Sequence, residues 1–115
     1  MRHVAERNEG AGPLSEPVLL ILMSLADQPR HGYALLKDIE RLSQGRARLS
    51  TGTLYGALRR LLEDRWIERF EQEDTSRDKQ AYRLTASGRR QLARDLDRMQ
   101  QLTRAGMARL RASEA

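Results

Sequence analysis

The sequence predicts a mainly α-helical domain with one small β-hairpin, an α+β fold that ends in a long helix. Three observations predict it. Apolar residues recur at spacings of three and four through much of the chain, which is the period of an amphipathic helix. Strand-like segments occur only between positions 66 and 84, and a heptad pattern follows them. A length of 115 residues leaves room for one compact domain and a short extension.

The composition favours a globular chain with an anionic partner. Hydrophobic residues make up 39% of the sequence and charged residues 32%, and the formal net charge is +5. All but two of the 21 basic residues are arginines, whose planar guanidinium groups suit contacts with phosphate and guanine. Nucleic acid is the commonest partner of such a chain, although genomic base composition also produces an arginine bias.

Cysteine content and hydropathy indicate the compartment. The sequence has no cysteine, which excludes disulfides and thiolate chemistry and makes the cytoplasm the expected location. The longest apolar stretch, at residues 18–26, is far shorter than the ~20 residues that span a bilayer, so no membrane partner is expected. Residues 1–13 have no sustained apolar run and are expected to form a loose arm rather than a secretory signal.

Catalysis is not expected. His3 and His31 are the only imidazole bases, and neither lies in a nucleophile motif. The sequence contains no glycine-rich phosphate loop, no cluster with metal-ligand spacing and no paired-carboxylate signature. We therefore expect no enzyme activity, no catalytic residue, no cofactor and no metal site.

The first helix is marked by its start and by its apolar surface. Ser15 is the expected N-cap, and Pro17 lies in the first turn, where its missing N–H costs nothing. The helix is apolar nearly all round, so the rest of the domain or a second subunit must cover it. Leu19 and Leu22 are the residues of this helix that we expect at a dimer interface.

Two amphipathic helices follow. The second is expected over residues 33–43 and is closed by Gly45, and the third is expected over residues 50–64 with Ser50 as its cap. Leucines form the apolar stripe of the third helix: Leu54, Leu58, Leu61 and Leu62. The opposite face leaves room for close approach to something bulky, because two of its four residues are glycines: Gly52, Gly56, Arg59 and Glu63.

A hairpin and a long helix complete the chain. Residues 66–70 and 81–84 are β-prone and flank a polar segment, which indicates a hairpin with a solvated tip. The last helix is capped by Thr85, and its heptad seam indicates pairing with a second copy of the chain through Leu92, Leu96, Met99, Thr103, Gly106 and Leu110. This order is the plan of a winged helix-turn-helix. We expect an arm at 1–13, a DNA-binding domain at 14–84 and a dimerisation helix at 85–115.

Short motifs in three of these elements resemble the PadR family of transcriptional regulators. They are His31-Gly32-Tyr33 at the second helix, Gly52-Thr53-Leu54-Tyr55 with Ala57-Leu58-Arg59-Arg60-Leu61 in the third, and Tyr82-Arg83-Leu84-Thr85 followed by Gly88. The resemblance runs from residue 14 to the C-terminus and is similar to the compact branch, in which a single C-terminal helix replaces a larger dimerisation domain. It implies homodimers that bind pseudo-palindromic operators, usually as repressors, and that phenolic or drug-like molecules release in some members.

The chain departs from the family pattern at two places. Thr51 and Gly56 stand where the family commonly has proline, which should loosen the third helix without removing it. Members that sequester flat aromatic drugs resemble one another in carrying a tryptophan on the C-terminal helix, whereas Trp66 precedes the hairpin. Drug binding at the dimer seam is therefore not expected, and Trp66 with Ile67 is interpreted as core beneath the hairpin.

The third helix is expected to enter the major groove of double-stranded DNA. The expected contacts are Ser50, Thr51 and Thr53 near phosphates, and Tyr55, Arg59 and Arg60 at phosphates or base edges. A solvated face is the alternative, and for Arg60 an ion pair with Glu63 or Asp64. Arg77 and Lys79 are the expected phosphate contacts of the wing, although Glu71, Glu73 and Asp74 argue against them locally.

His31 and Tyr33 are expected to cap the second helix and pack it on the first, with contact between Tyr33 and a phosphate as the alternative. Two further functions remain open. One is a winged helix that serves as a protein interaction module without operator binding. The other is a sensor that holds a small aromatic effector in a cavity between the first and last helices.

Overall fold

The computed structural model describes residues 12–70 and 80–114. Its elements are α1 (Glu16–Ser24), β1 (Arg30–His31), α2 (Gly32–Leu42), α3 (Thr51–Glu63), β2 (Ile67–Phe70), β3 (Ala81–Leu84) and α4 (Ala86–Ser113). The predicted order of three helices, a hairpin and a long helix is confirmed. The sequence did not predict β1, which adds a third strand to the hairpin in the order β1-β3-β2.

Strand β1 joins the helical part of the domain to the hairpin. It pairs antiparallel with β3, with Arg30 opposite Tyr82 and His31 opposite Ala81. Strand β2 pairs with the other edge of β3, with Ile67 opposite Leu84. Because β1 runs directly into α2, the start of that helix has a fixed position relative to the hairpin.

Three helices begin at the hydroxyl caps that the sequence predicts. The backbone N–H groups of Val18 and Thr53 donate to the hydroxyls of Ser15 and Ser50, at 3.4 and 3.0 Å. At the start of α4, the Gly88 N–H donates to Thr85 Oγ1 at 3.0 Å. Each bond satisfies an N–H that has no partner within its own helix.

Helix α2 starts differently from the prediction. His31 occupies the predicted N-cap position, but its side chain makes no capping hydrogen bond. Tyr33 is largely exposed, at 66% of its surface, so most of its side chain lies outside the packing between α1 and α2. At the other end, Gly45 adopts the left-handed conformation with φ +81, and its N–H donates to Glu40 O at 2.8 Å. The predicted closure of the helix by Gly45 is confirmed.

The core is formed where the leucine stripes of α1, α2 and α3 meet the inner face of the sheet. Trp66 and Ile67 are buried in it, as predicted. Leu22 and Leu92 are also buried in it, which corrects their assignment to a dimer interface, because neither has surface left for a partner. Helix α3 runs unbroken from Thr51 to Glu63, so the two residues that replace proline do not interrupt it.

A buried polar cluster ties α1 to α2 and β1. Ser24 Oγ donates to Asp38 Oδ2 at 2.7 Å, and Arg30 Nε donates to the Ser24 carbonyl at 2.8 Å. Arg30 Nε also lies 3.6 Å from Asp38 Oδ2, and Arg41 pairs with Asp38 Oδ1 at 3.4 Å. The carboxylate is thus compensated on both oxygens, as a buried charge requires.

Helix α4 packs on the domain only through its first part. Its buried residues are Gly88, Gln91, Leu92 and Asp95, and every residue from 100 to 114 is exposed. Several of the exposed residues are large and apolar: Leu96, Leu102, Met107 and Leu110. In the parts of the chain that the structure describes, no helix is long and apolar enough to cross a membrane.

Candidate nucleic-acid interface

Helix α3 divides into a buried leucine face and an exposed polar face. Leu54, Leu58 and Leu61 are buried in the core. All six site residues predicted around this helix are exposed on one side of the domain: Ser50, Thr51, Thr53, Tyr55, Arg59 and Arg60. The fold therefore brings this predicted set together, because the stripe that packs inward leaves the remaining positions outward.

The two arginines of α3 are available to a partner. Within residues 12–70 and 80–114, neither Arg59 nor Arg60 forms a salt bridge, so the alternative of an ion pair between Arg60 and Glu63 or Asp64 is not observed. Gly56 lies close to Arg59 on the same helix. Apart from its chain neighbours and the helix's own backbone, no atom lies within 4 Å of the position that a Cβ at Gly56 would take. A bulky partner can therefore approach the α3 backbone closely beside an uncompensated cation.

The first turn of α3 is held by two hydroxyl groups. Ser50 Oγ accepts from the Thr53 N–H and donates to Thr53 Oγ1 at 3.0 Å. The N-terminal N–H groups and the helix dipole together attract anions at such a turn. This arrangement suits a phosphate oxygen at the start of α3.

Tyr55 of α3 packs against α2 and is also partly exposed at the surface. Its hydroxyl lies against the backbone of Gly32, where a side chain at position 32 would overlap it. The ring is still 43% exposed. The sequence indicated only the exposed role. The contact with α2 depends on glycine at position 32, the central residue of the His31-Gly32-Tyr33 motif.

Tyr55 also lies close to the hairpin. Burial raises the pKa of Tyr82 above its usual value, the nearby Tyr55 hydroxyl adds to this increase, and Arg69 opposes it. Tyr82 and Arg69 are opposite each other in the β2–β3 ladder, so both side chains project from the same face of the sheet. Arg69 is exposed, and it therefore adds a cation on the hairpin side of α3.

Arg69 and Lys37 are candidate contacts that the sequence analysis missed. The alternation of β2 could have indicated Arg69, because it shares a face with the buried Ile67. Lys37 lies one helical turn after Tyr33, with its Nζ 5.8 Å from the centre of that ring. Tyr33 is exposed in the first turn of α2 and Lys37 is exposed in the middle of the helix, so a phosphate contact for Tyr33 remains the alternative.

The hairpin tip lies outside the described residues, including the predicted contacts Arg77 and Lys79. At the base of the hairpin, Arg83 of β3 contacts two residues of the neighbouring strand β2. It donates to Glu68 Oε2 at 2.7 Å, and its guanidinium lies 4.9 Å from the centre of the Phe70 ring. Arg83 is therefore a structural residue of the outer sheet face rather than a free cation.

The predicted dimer seam is exposed along most of α4. Leu96, Thr103, Gly106 and Leu110 are exposed, and Met99 is half-buried. Leu19 on α1 is also half-buried. Because Leu22 and Leu92 are buried in the core, the remaining residues of the predicted seam are a stripe along α4 and Leu19 of α1.

Comparisons with known proteins give a consistent result. The model of the transcriptional regulator PadR-like family matches residues 21–94. An uncharacterised 37.1 kDa protein in a transposon of Streptomyces fradiae is 39% identical over 85 residues, which are 74% of this chain and 23% of that protein. This chain thus spans about a quarter of the length of the curated relative that it matches.

Two solved structures have the same fold. A PadR family transcription regulator from Clostridium difficile is 22% identical with a TM-score of 0.69, and the alignment covers 84% of this chain and 99% of that one. The PadR of Bacillus subtilis, solved in complex with operator DNA, is 21% identical with a TM-score of 0.64. That alignment covers 74% of this chain and 48% of the Bacillus protein.

Proposed function

This chain belongs to the PadR-like family of transcriptional regulators, and we propose that it binds operator DNA with α3 in the major groove. The observation that carries the proposal is the exposed face of α3, where Arg59 and Arg60 have no salt bridge within the described residues and Gly56 lies in open space. Membership in a family of regulators agrees with the prediction that the chain is not an enzyme.

In this proposal the start of α3 and the arginines have different roles. Ser50, Thr51 and Thr53 hold a phosphate at the first turn, where hydroxyl and N–H donors lie together. Arg59 reaches a base edge, because a planar guanidinium bonds guanine through two hydrogen bonds. Gly52 and Gly56 let the backbone approach the groove. The Bacillus subtilis PadR has the same fold and was solved in complex with operator DNA, which supports DNA binding by this chain.

Contacts outside α3 position the duplex. Arg77 and Lys79 on the wing bind phosphates, and Arg69 adds to them from the inner face of β2. Tyr33 in the first turn of α2 and Lys37 in the middle of that helix contact the DNA backbone. None of these residues distinguishes one sequence from another, because phosphate contacts set the register and affinity while base contacts set the specificity.

The protein acts as a homodimer in this proposal. The exposed apolar residues of α4 need cover, and pairing with the same stripe on a second copy provides it. The interface consists of Leu19 with Leu96, Met99, Thr103, Gly106 and Leu110. Two-fold symmetry would then require a pseudo-palindromic operator whose half-sites lie about 34 Å apart, one turn of the duplex.

This dimeric model also assigns a role to each segment of the chain and a regulatory outcome to DNA binding. We assign residues 14–84 to DNA binding, residues 85–115 to dimerisation and residues 1–13 to an arm. We further propose a cytoplasmic repressor that a small aromatic effector releases from its operator. No specific observation favours the alternative of a protein interaction module.

Selection of bound fragments from random duplex DNA tests the proposal. We expect enrichment of one sequence with two-fold symmetry and half-sites about one helical turn apart. Binding to that sequence should weaken linearly with the logarithm of the salt concentration, with a slope of about 0.9 for each phosphate contacted. Selection that enriches no sequence would contradict operator binding, and an enriched site without symmetry would contradict the dimer.

A further inference from the structure

The connection between α2 and α3, residues 43–50, carries two arginines that have no role in the contacts proposed above. Arg46 and Arg48 are both exposed. They belong to a longer basic stretch, because residues 41–62 contain five arginines and no aspartate or glutamate. The stretch runs from the end of α2 through the connection and along α3. Its positive charge is therefore not neutralised by acidic residues of the same segment.

Hydrogen bonds hold the first half of this connection in one conformation. The Ala47 N–H donates to Ser43 Oγ at 2.9 Å, and the Arg46 N–H donates to the Ser43 carbonyl at 3.1 Å. Gln44 and Gly45 both have positive φ, at 56 and 81, which turns the chain away from the axis of α2. A side chain on such a connection is presented in a defined direction, which reduces the entropy that is lost on binding.

Burial alternates along the second half of the connection. Ala47 and Leu49 are half-buried and pack against the core, whereas the residues between and beside them are exposed: Arg46, Arg48 and Ser50. Alternation with a period of two is the pattern of extended backbone, in which every second side chain points the same way. Ser50 itself is extended, with φ -72 and ψ 159. Arg46, Arg48 and Ser50 therefore form an outward row that ends at the cap of α3.

The spacing of this outward row suits the backbone of a nucleic-acid strand. Side chains two positions apart on an extended chain are separated by about 6.6 Å, which is close to the distance between neighbouring phosphates of one strand. A guanidinium stays charged at physiological pH and can bond a phosphate through two parallel hydrogen bonds. Two arginines at this spacing can therefore bind two neighbouring phosphates at the same time.

The two arginines differ in their charge partners. In the part of the chain that the structure describes, Arg46 forms no salt bridge. Arg48 Nε lies 3.2 Å from Glu40 Oε2, and the two side chains are 75% and 40% exposed. An exposed ion pair of this kind contributes little to stability, so a phosphate can replace the carboxylate. Glu40 therefore competes with DNA for the guanidinium of Arg48.

We propose that Arg46 and Arg48 bind two neighbouring phosphates of one DNA strand, immediately ahead of the point where α3 enters the groove. This inference rests on the proposed function and adds a contact surface to it, because the two arginines belong to neither α3 nor the hairpin. They fix the first turn of α3 relative to one strand and contribute affinity without base preference. Glu40 limits this affinity by holding Arg48.

The salt dependence of operator binding measures the contact of Arg46. Arg46→Gln should weaken binding about three- to tenfold and lower the salt slope by about 0.9, because one phosphate contact is lost. The selected base sequence should stay the same. Arg104→Gln, which removes an exposed arginine from α4, is the matched control and should keep the wild-type slope. An unchanged slope in Arg46→Gln would overturn the proposed contact.

Glu40→Gln tests the contact of Arg48 in the opposite direction. It frees Arg48 and removes a negative charge beside the strand, so operator affinity at low salt should rise by at least about twofold. A damaged fold could not produce such a gain. In an Arg48→Gln background the same substitution should give a smaller gain. No gain in Glu40→Gln, or an equal gain in both backgrounds, would overturn the role of Arg48.

Neutral phosphate analogues locate the contacts on the DNA. A series of operator duplexes carries one methylphosphonate in place of each phosphate in turn. Two neighbouring positions of one strand in each half-site should weaken wild-type binding, and one of them should no longer affect Arg46→Gln. Additive losses at every position would overturn a direct contact. A wild-type protein that binds no duplex would contradict the proposed function as well, whereas operator binding with unchanged salt slopes in Arg46→Gln and Arg48→Gln would contradict this inference alone.

Discussion

The carbonyl oxygen of Trp66 occupies the space that a side chain at Gly88 would need, so the hairpin and the start of α4 are in direct backbone contact. The same carbonyl accepts from the Thr85 N–H at 3.1 Å, and Thr85 Oγ1 donates to the Arg65 carbonyl at 2.7 Å. This junction sets the direction of α4 relative to the DNA-binding elements. In a dimer it would therefore set the separation of the two α3 helices.

Gly88→Ala should destabilise the fold. The new methyl group would overlap backbone rather than a flexible side chain, so α4 must move away from the hairpin. We expect a loss of about 2–3 kcal/mol in the free energy of unfolding, measured by urea denaturation with circular dichroism. Gly56→Ala is the matched control, because it adds the same methyl group to a helix in open space and should stabilise by up to about 1 kcal/mol. Equal stability of the two variants would contradict the contact.

Gly56→Leu should separate folding from DNA binding. The position is open in the chain by itself, so the larger side chain should leave the thermal midpoint close to that of the wild type. In the proposed complex the same side chain projects into the groove and should lower operator affinity by at least tenfold, or about 1.4 kcal/mol. Fluorescence anisotropy with labelled duplex measures this. Full operator binding by a folded Gly56→Leu protein would show that the duplex does not approach α3 at this point.

Asp38→Ala should be among the most destabilising substitutions of a polar residue in this chain. It would leave the Ser24 hydroxyl and the Arg30 guanidinium without the partner that they share in the interior. The expected loss in the free energy of unfolding is about 3 kcal/mol. Asp27→Ala removes a 3.3 Å ion pair with the same arginine, but its carboxylate is 70% exposed, so the loss should stay below about 1 kcal/mol. Similar losses for the two variants would contradict a buried role for Asp38.

Leu110→Glu should shift the protein from dimer to monomer. Leu110 is 61% exposed and lies on the proposed seam, where a charge would be buried without a partner. Ala108→Glu places the same charge nearly opposite the seam on the helix and should remain dimeric. Sedimentation equilibrium over a range of concentrations measures both proteins. Unchanged self-association in Leu110→Glu would move the dimer interface away from this stripe.

Local signals made much of this fold predictable. Ser15, Ser50 and Thr85 are caps because their hydroxyls bond N–H groups three residues ahead, which sequence spacing alone reveals. The outward face of α3 was predictable for the same kind of reason, because the leucine stripe leaves only one side for Arg59 and Arg60.

Contacts between distant positions were not predictable in this way. Strand β1 has only two residues, Arg30 and His31, and it exists because β3, about fifty positions later, offers an edge. Tyr55 approaches Gly32 closely and connects two helices, and no periodic pattern in the sequence indicates this contact. Leu22 and Leu92 were assigned to a dimer interface because heptad and apolar patterns do not distinguish packing within a chain from packing between chains.

Operator titration of Arg59→Ala by fluorescence anisotropy at fixed salt tests the central claim most directly. Arg104→Ala is the matched control, because it removes an arginine that is also exposed but lies on α4. We predict that Arg59→Ala weakens operator binding by about 1–3 kcal/mol and relaxes the base preference at one position of each half-site, whereas Arg104→Ala leaves the preference unchanged. Wild-type affinity and an unaltered base preference in Arg59→Ala would contradict the placement of α3 in the major groove.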